Sequence, residues 1–214
     1  YTKDSLTFNY LPNWADNLDM SLDSANFGDD KVQFTFAGNV GTVQNLENII
    51  KAFNSLSDEY AKRAQFNIIG TGSALEGLKS LNIQSNVVFH GRKPRNKMSK
   101  YYKASDFLIV SLVDEPIFSV TVPAKMQTYI YAKRPILAII KGDTASIVRD
   151  NNLGYTADPN DIDNIKNIFV QAIDTDGNKI EEFTKNCNKL NKDVFNRDSI
   201  INHLLRLTTT GKES

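Results

Sequence analysis

Along this chain, short continuous apolar runs alternate with segments whose apolar residues recur every three or four positions. The runs Val32 to Ala37, Phe66 to Ile69, Val87 to Phe89, Phe107 to Leu112, Ile136 to Ile140 and Leu153 to Thr156 are short and rich in β-branched and aromatic residues. They predict buried strands. Between Val43 and Leu56, the residues Leu46, Ile49, Ile50, Phe53 and Leu56 share one helical face. Ala74 to Ser80, Met98 to Ala104, Ala124 to Ala132 and Ala145 to Asn151 are the other predicted helices, and from Ile162 onward only helix and turn are expected. Thr7 to Asn13 has strand character, whereas Asp16 to Asp30 is polar and turn-like.

Strands apolar on both faces, alternating with helices, imply an α/β fold with a doubly wound parallel sheet of Rossmann-like type. Residues 31–174 are expected to form this domain, with 1–30 leading into it and 175–214 forming a C-terminal helical tail. The tail holds two amphipathic segments, Ile180 to Leu190 and Ser199 to Leu207. The second carries Ile200, Ile201, Leu204, Leu205 and Leu207, a stripe that needs a partner surface on this domain or on a preceding one. Thr208 to Ser214 is expected to fray. In open sheets of this kind, ligands bind beyond the carboxyl ends of the strands. Here those ends are Gly38 to Gly41, Gly70 to Ser73, Gly91 to Lys93 and Leu112 to Thr121, all small or polar.

Composition narrows the class. At 214 residues, 41% hydrophobic and 10% aromatic, the chain suits a globular protein with one sizeable core. Lys+Arg and Asp+Glu both number 25, which argues against bulk attraction to nucleic acid or acidic lipid. Cys187 is the only cysteine, so an intrachain disulfide and a cysteine-based zinc site are excluded. No signal peptide and no apolar run of about 18 residues is present, so a cytosolic location is expected. A first residue of Tyr1 rather than Met leads us to expect a fragment.

The strongest chemical signal lies between Glu115 and Ala138, where Ser119, Val120 and Thr121 precede Pro123 and Lys125. Hydroxyls, a helix start and a cation within one turn suit a phosphate, because the first helical turn presents unpaired N–H groups and partial positive charge. The bland reading is an N-capped helix with a surface lysine. Gly38-Asn39-Val40-Gly41 can bring backbone close to a phosphate or simply turn the chain tightly, with little to choose between them. Neither it nor Gly70-Thr71-Gly72 completes a nucleotide fingerprint, since Gln44 and Leu75 stand where a third small residue belongs. Arg92, Lys93, Arg95, Lys97 and Lys100 form a basic cluster, either a solvated loop or a wall against a diphosphate. His90 reads as a structural or rim residue, His203 as solvent-facing, and Cys187 as part of a polar helix. Asp174-Thr175-Asp176-Gly177 resembles the start of a calcium loop but lacks its later glutamate and reads as a turn. No Ser/His/Asp set, metal cluster or carboxylate pair with acid/base spacing stands out, so the catalytic machinery is not self-contained.

In order and spacing, these segments resemble the C-terminal, nucleotide-sugar-binding half of a GT-B glycosyltransferase of family 4 type. The residues that carry the resemblance span most of the chain. They are Leu11-Pro12-Asn13-Trp14-Ala15-Asp16; Phe36-Ala37-Gly38-Asn39-Val40-Gly41 with Gln44-Asn45-Leu46; and Phe66-Asn67-Ile68-Ile69-Gly70-Thr71-Gly72. Next come Asn86-Val87-Val88-Phe89-His90-Gly91 with Met98, Tyr101-Tyr102 and Ala104-Ser105-Asp106. Val122-Pro123-Ala124-Lys125-Met126-Gln127-Thr128-Tyr129, then Lys133-Arg134-Pro135-Ile136-Leu137, is similar to a Val-Pro-Ser-Lys variant seen among fucosaminyl and fucosyl transferases.

The resemblance implies a cytoplasmic donor-binding domain for a nucleotide-diphosphate sugar, expected to be UDP-linked, with no metal cofactor. The sugar would pass to a carbohydrate or lipid-linked acceptor in surface polysaccharide (capsule, O-antigen or exopolysaccharide) synthesis. Gly38, Asn39, Gly41, Ser119, Val120, Thr121 and Lys125 would hold the diphosphate, and Gly91, Arg92 and Lys93 would meet the base. The acceptor site and any catalytic base would belong to a missing N-terminal domain, which is also the expected route to the inner membrane face. The sequence departs from the family at Asn39 and Gln44, where many relatives carry Arg and Lys, and at Val120 and Thr128, where many carry two glutamates. The second glutamate usually binds the ribose, so Thr128 offers that contact only a shorter hydroxyl. Three other readings stay open: half of a nucleotide-sugar epimerase, a non-catalytic nucleotide-binding module, and a dinucleotide-dependent oxidoreductase.

Overall fold

The computed structural model describes residues 11–15, 18–28, 30–81 and 86–209. Six strands form one parallel sheet: β1 (Val32–Ala37), β2 (Ala64–Ile69), β3 (Val87–Gly91), β4 (Phe107–Ser111), β5 (Ile136–Ile139) and β6 (Gly154–Ala157). Their order is β3-β2-β1-β4-β5-β6. The chain steps outward from β1 to β3, crosses back to β4 beside β1, and steps outward again to β6. This doubly wound topology puts its switch point between β1 and β4.

Among the described residues ten α-helices connect and cover the strands: α1 (Leu46–Asn54), α2 (Asp58–Lys62), α3 (Leu75–Leu81), α4 (Met98–Lys103), α5 (Pro116–Ser119), α6 (Ala124–Tyr131), α7 (Asp143–Asp150), α8 (Ile162–Ile173), α9 (Gly177–Asp193) and α10 (Arg197–Thr209). Period-2 alternation within the strands divides the apolar residues between two layers. Phe34, Phe36, Phe66, Ile68, Phe107 and Ile109 pack under α1 and α8. Phe169 of α8 lies 4.9 Å from Phe34 and 5.1 Å from Phe53, both edge to face. Ala37, Ile69, Leu108, Val110, Ile136 and Ala138 face the other way, against Tyr102, Met126, Tyr129 and Val148. On that face β1 and β2 also bury Gln33, Thr35 and Asn67, whose hydrogen bonds offset the cost of burial: Asn67 Nδ2 donates to Gln33 Oε1 at 2.9 Å, and Ser105 Oγ to Thr35 Oγ1 at 2.6 Å.

Helix starts follow local chemistry. Asp161 and Asp176 each accept from the backbone N–H three residues on, at 2.9 Å, capping α8 and α9. The expected helices at Ala74 to Ser80 and Ala145 to Asn151 each sit one or two residues away from the helices observed. α2 and α5 are additional, each less than two turns long. Most of the strand expected at Thr7 to Asn13 lies outside the described residues, and 11–13 carry none. Cys187 lies in a helix that is polar on average, as expected, and is itself fully buried in the core, because the apolar stripe of α9 turns that position inward. α10 is helical through Thr209 and buries Ile200 at its start, while Leu204 and Leu205 are 44% and 55% exposed. Residues 210–214 lie outside the described set. Among the described residues no helix is long and apolar enough to cross a membrane.

Candidate functional site

At the switch point, the loop after β1 meets the start of α6. Gly38 donates its N–H to Ile69 O at 2.9 Å, and Val40 donates to Thr71 O at 3.0 Å, so the loops after β1 and β2 are zipped together. Gly70 has φ +149°, and a Cβ there would stand 1.8 Å from Gly38 O. Only glycine fits this crossing. The Gly38 and Val40 amides are spent in this pairing and are not open to a phosphate. The exposed Asn39 side chain folds back over Gly41, its Nδ2 2.8 Å from where a Cβ on Gly41 would be.

Lys125 projects from the first turn of α6 into this loop. Its Nζ donates to Gln44 Oε1 at 3.1 Å and stands 4.0 Å from the centroid of the Phe36 ring. It also closes on Gly38, where an added Cβ would lie 3.4 Å from Nζ. Among the described residues no carboxylate pairs with it. Burial without a counter-charge pushes the ammonium down from the usual lysine range to about 7. The loop is braced from below by Ser111 Oγ, which donates to Gln44 O at 2.5 Å, and by Val113 N–H, which donates to Val43 O at 3.0 Å. Tyr129 ties α6 to the end of β1: its hydroxyl accepts from Ala37 N at 3.3 Å and lies 3.4 Å from Ala37 O. Burial raises that phenol well above its ordinary pKa.

The hydroxyls are less available than their spacing suggests. Ser119 Oγ donates to Pro116 O and Thr121 Oγ1 to Ile117 O, each at 2.7 Å, while Thr128 Oγ1 donates to Ala124 O at 3.3 Å. A hydroxyl has one proton, so a phosphate meets these groups as donors only after they rotate. Val120 is 71% exposed beside them, offering backbone and an apolar side chain. The turn is pinned from behind, where Thr144 Oγ1 donates to Thr121 O at 2.9 Å.

A cleft of about 520 Å³ opens next to the Gly38 loop. Gly38, Asn39, Gly70 and Thr71 form one wall; Arg92, Lys93, Pro94 and Arg95 form the other, with Met98 and Tyr102 between them. The structure thus brings Gly38, Asn39, Arg92 and Lys93 into one cleft and sets Lys125 against its glycine wall. Gly41 is buried behind Asn39, and Gly91 takes φ +65° at the bend leading to Arg92. His90 is partly buried, with Nε2 2.8 Å from Asn67 Oδ1 and its ring 5.1 Å from Phe27. Burial, with a smaller contribution from Lys93, lowers its pKa. Of the structural and rim readings its sequence position allows, these are the contacts of a structural residue, and His90 does not line the cleft. His203 is exposed on α10. Cys187, with its thiol pushed up to about 12 by burial, is inert.

Phe36, Tyr129 and Thr144 are the residues that sequence reasoning missed. Apolar or hydroxyl side chains at ordinary element positions carry no motif, and their roles come only from what they touch. Lys141, after β5, differs in kind from Lys125: it is held by Asp114 at 2.6 Å and Asp158 at 3.1 Å, so its charge is already matched. Among the described residues no group of three or more His, Cys, Asp or Glu side chains is gathered to hold a metal ion.

Comparisons with known proteins follow the same lines. A probable glycosyltransferase of Pseudomonas aeruginosa, WbjE, is 30% identical over 133 residues, which are 60% of this chain and 32% of that protein. Among solved structures, a sucrose-phosphate synthase from Thermosynechococcus elongatus superposes with a TM-score of 0.71 at 18% identity, over 94% of this chain and 53% of that one. Anabaena Alr3699/HepE in complex with UDP-glucose gives a TM-score of 0.69 at 13% identity, over 85% of this chain and 49% of that one. The chain therefore spans about a third of the one relative and about half of the others, and these structures share its GT-B-type Rossmann-like fold. The profile of the family described as glycosyl transferases group 1 matches residues 21–190. With four-fifths of its length under that profile and the parallel sheet to match, this chain belongs to the glycosyl transferases group 1 family.

Proposed function

We propose that this chain is the donor-binding half of a family 4-type glycosyltransferase, holding a UDP-linked sugar at the β1/β4 switch point. The observation that carries the reading is Lys125: a cation with no carboxylate partner among the described residues, set at a helix start against a glycine loop. A diphosphate placed there would gain the charge of Lys125 and the positive end of α6 together. Arg92 and Lys93 line the cleft whose Gly38 is touched from behind by Lys125 and favour an anionic ligand there, and the base and ribose would lie along Met98 and Tyr102. Asn39 and Thr128 would make the shorter polar contacts, with Ser119 and Thr121 joining after their hydroxyls rotate.

The chemistry would be electrostatic. Leaving-group charge grows on the diphosphate as the glycosidic bond breaks, and preorganised positive groups stabilise that charge more than the intact donor. The acceptor, a carbohydrate or lipid-linked chain in surface polysaccharide synthesis, would be bound by the additional length that relatives carry. HepE was solved with UDP-glucose, which supports the choice of nucleotide.

Calorimetric titration with UDP, GDP, UDP-glucose and GDP-mannose tests the reading. UDP and UDP-glucose are expected to bind, and Lys125→Ala to weaken both about 10- to 100-fold, the cost of one charge-assisted phosphate contact. No binding of any nucleotide at millimolar concentration would overturn it.

A further inference from the structure

Lys125 is an unusual place to keep a permanent charge. Its Nζ lies over the Phe36 ring at 4.0 Å and against Gly38, and its hydrogen bond goes to the neutral amide oxygen of Gln44 at 3.1 Å; ring and amide favour the ammonium weakly, and neither brings a full negative charge. A protonated amine has three N–H donors, and the protein acceptor that meets this partly buried group is one neutral amide oxygen.

Among the described residues the surrounding elements supply no compensating charge. The loop 38–45 contains no titratable side chain, and neither do residues 70–73 after β2. On α6 the nearest titratable group is Tyr129, whose hydroxyl is occupied at Ala37. On the 112–123 segment, Asp114 is taken by Lys141 at 2.6 Å and Asn160 at 3.1 Å, and Glu115 is exposed at the start of α5. Across the cleft stand Arg92, Lys93 and Arg95, which are cations themselves.

We propose that the site takes up a proton when it binds a nucleotide-diphosphate sugar, and that Lys125 is the group that receives it. This rests on the donor reading above. Without a counter-charge, burial holds the amine's proton loosely, with a pKa of about 7. The negative charges of a pyrophosphate beside Nζ reverse that balance and favour the ammonium. The sign follows from linkage. Below about pH 7 the amine is already protonated and binding is indifferent to pH; above it, binding must draw a proton from solvent. Affinity then falls by up to about tenfold per pH unit until the ligand-bound pKa is reached. Donor binding would thereby respond to pH within the physiological range.

The test is calorimetry with UDP-glucose in two buffers of different ionisation heat, such as HEPES and Tris. UDP-glucose is the right probe because its pyrophosphate is a diester with no ionisation near neutrality, so uptake cannot come from the ligand. Wild type is expected to take up close to one proton per ligand at about pH 8 and almost none at about pH 6. Lys125→Arg, whose guanidinium stays charged, is expected to bind with no uptake at either pH. Binding by wild type without uptake at the higher pH would overturn the proposal and leave the donor reading standing. Uptake that persists in Lys125→Arg would overturn it too, since the proton would then go elsewhere. No binding of UDP-glucose at millimolar concentration overturns the donor reading and this one with it. In the ligand-free chain, the Lys125 ¹³Cε resonance should titrate near neutrality, and a midpoint in the ordinary lysine range would refute the mechanism directly.

Discussion

Replacing Lys125 with methionine should stabilise the fold while weakening nucleotide binding. Methionine keeps most of the apolar stem that packs on Phe36 and Gly38 and removes the charge. In the unfolded chain the amine has its ordinary pKa near 10.4, whereas in the fold burial pushes it to about 7. The unfolded state therefore binds more protons between these values, and wild-type stability must rise with pH across that window. The depression corresponds to about 4–5 kcal/mol as an upper limit. Partial exposure of the side chain and its hydrogen bond to Gln44 reduce this, and the expected gain for Lys125→Met is about 1–3 kcal/mol at pH 6. The gap should narrow as pH rises through 7 toward the free-lysine range. Urea unfolding of both proteins at about pH 6 and 9.5 reads it directly. A variant no more stable than wild type at the lower pH would refute the reasoning, as would an advantage that does not change with pH.

Other variants probe the scaffold around the site. Gly70→Ala would place a Cβ 1.8 Å from Gly38 O, so it should cost about 2–4 kcal/mol in denaturant unfolding. It should also weaken UDP binding by separating the two loops, and unchanged affinity would show that the crossing does not shape the site. Tyr129→Phe removes the hydroxyl that ties α6 to Ala37 and should lower stability by about 1–2 kcal/mol, read by urea unfolding. Phe169→Ala empties the edge-to-face cluster with Phe34 and Phe53 and should cost about 3–5 kcal/mol. The Cys187 thiol, pushed up to about 12, should resist DTNB at pH 8 in the native chain and react promptly in urea, and fast native labelling would contradict its burial.

Much of the fold was legible because the strands are short β-favouring runs set between segments of helical period. Phe107 to Leu112 is almost wholly apolar, as a fully covered parallel strand requires, whereas Val32 to Ala37 alternates and buries Gln33 and Thr35 on its second face. α1 was readable from Leu46, Ile49, Ile50 and Phe53, all of which are buried as their spacing requires. The short helices α2 and α5 were not, since five and four residues are too few to carry a period. The burial of Cys187 was not legible for a related reason: α9 is polar on average, and the narrow stripe that buries Phe183 and Cys187 is diluted by lysines and asparagines.

For the candidate site, the sequence specified the ingredients: glycines after β1 and β2, a basic run after β3, and Lys125 at a helix start. It also specified that they sit at strand ends, because local apolar patterning fixes where elements begin and stop. It did not specify their pairing. That Gly38 and Val40 spend their amides on Ile69 and Thr71, that Ser119 and Thr121 spend their protons on their own turn, and that Lys125 reaches Gln44 and Phe36 depends on strand order. Residues 36 and 125 are far apart in the chain and become neighbours only because β4 inserts beside β1. Periodicity is a property of adjacent residues, whereas the environment that loosens a proton on Lys125 is a property of contacts between distant ones. The sequence by itself determined which groups stand at the sheet's edge, and only the tertiary structure decided which of them still have hydrogen bonds and charge to offer a ligand.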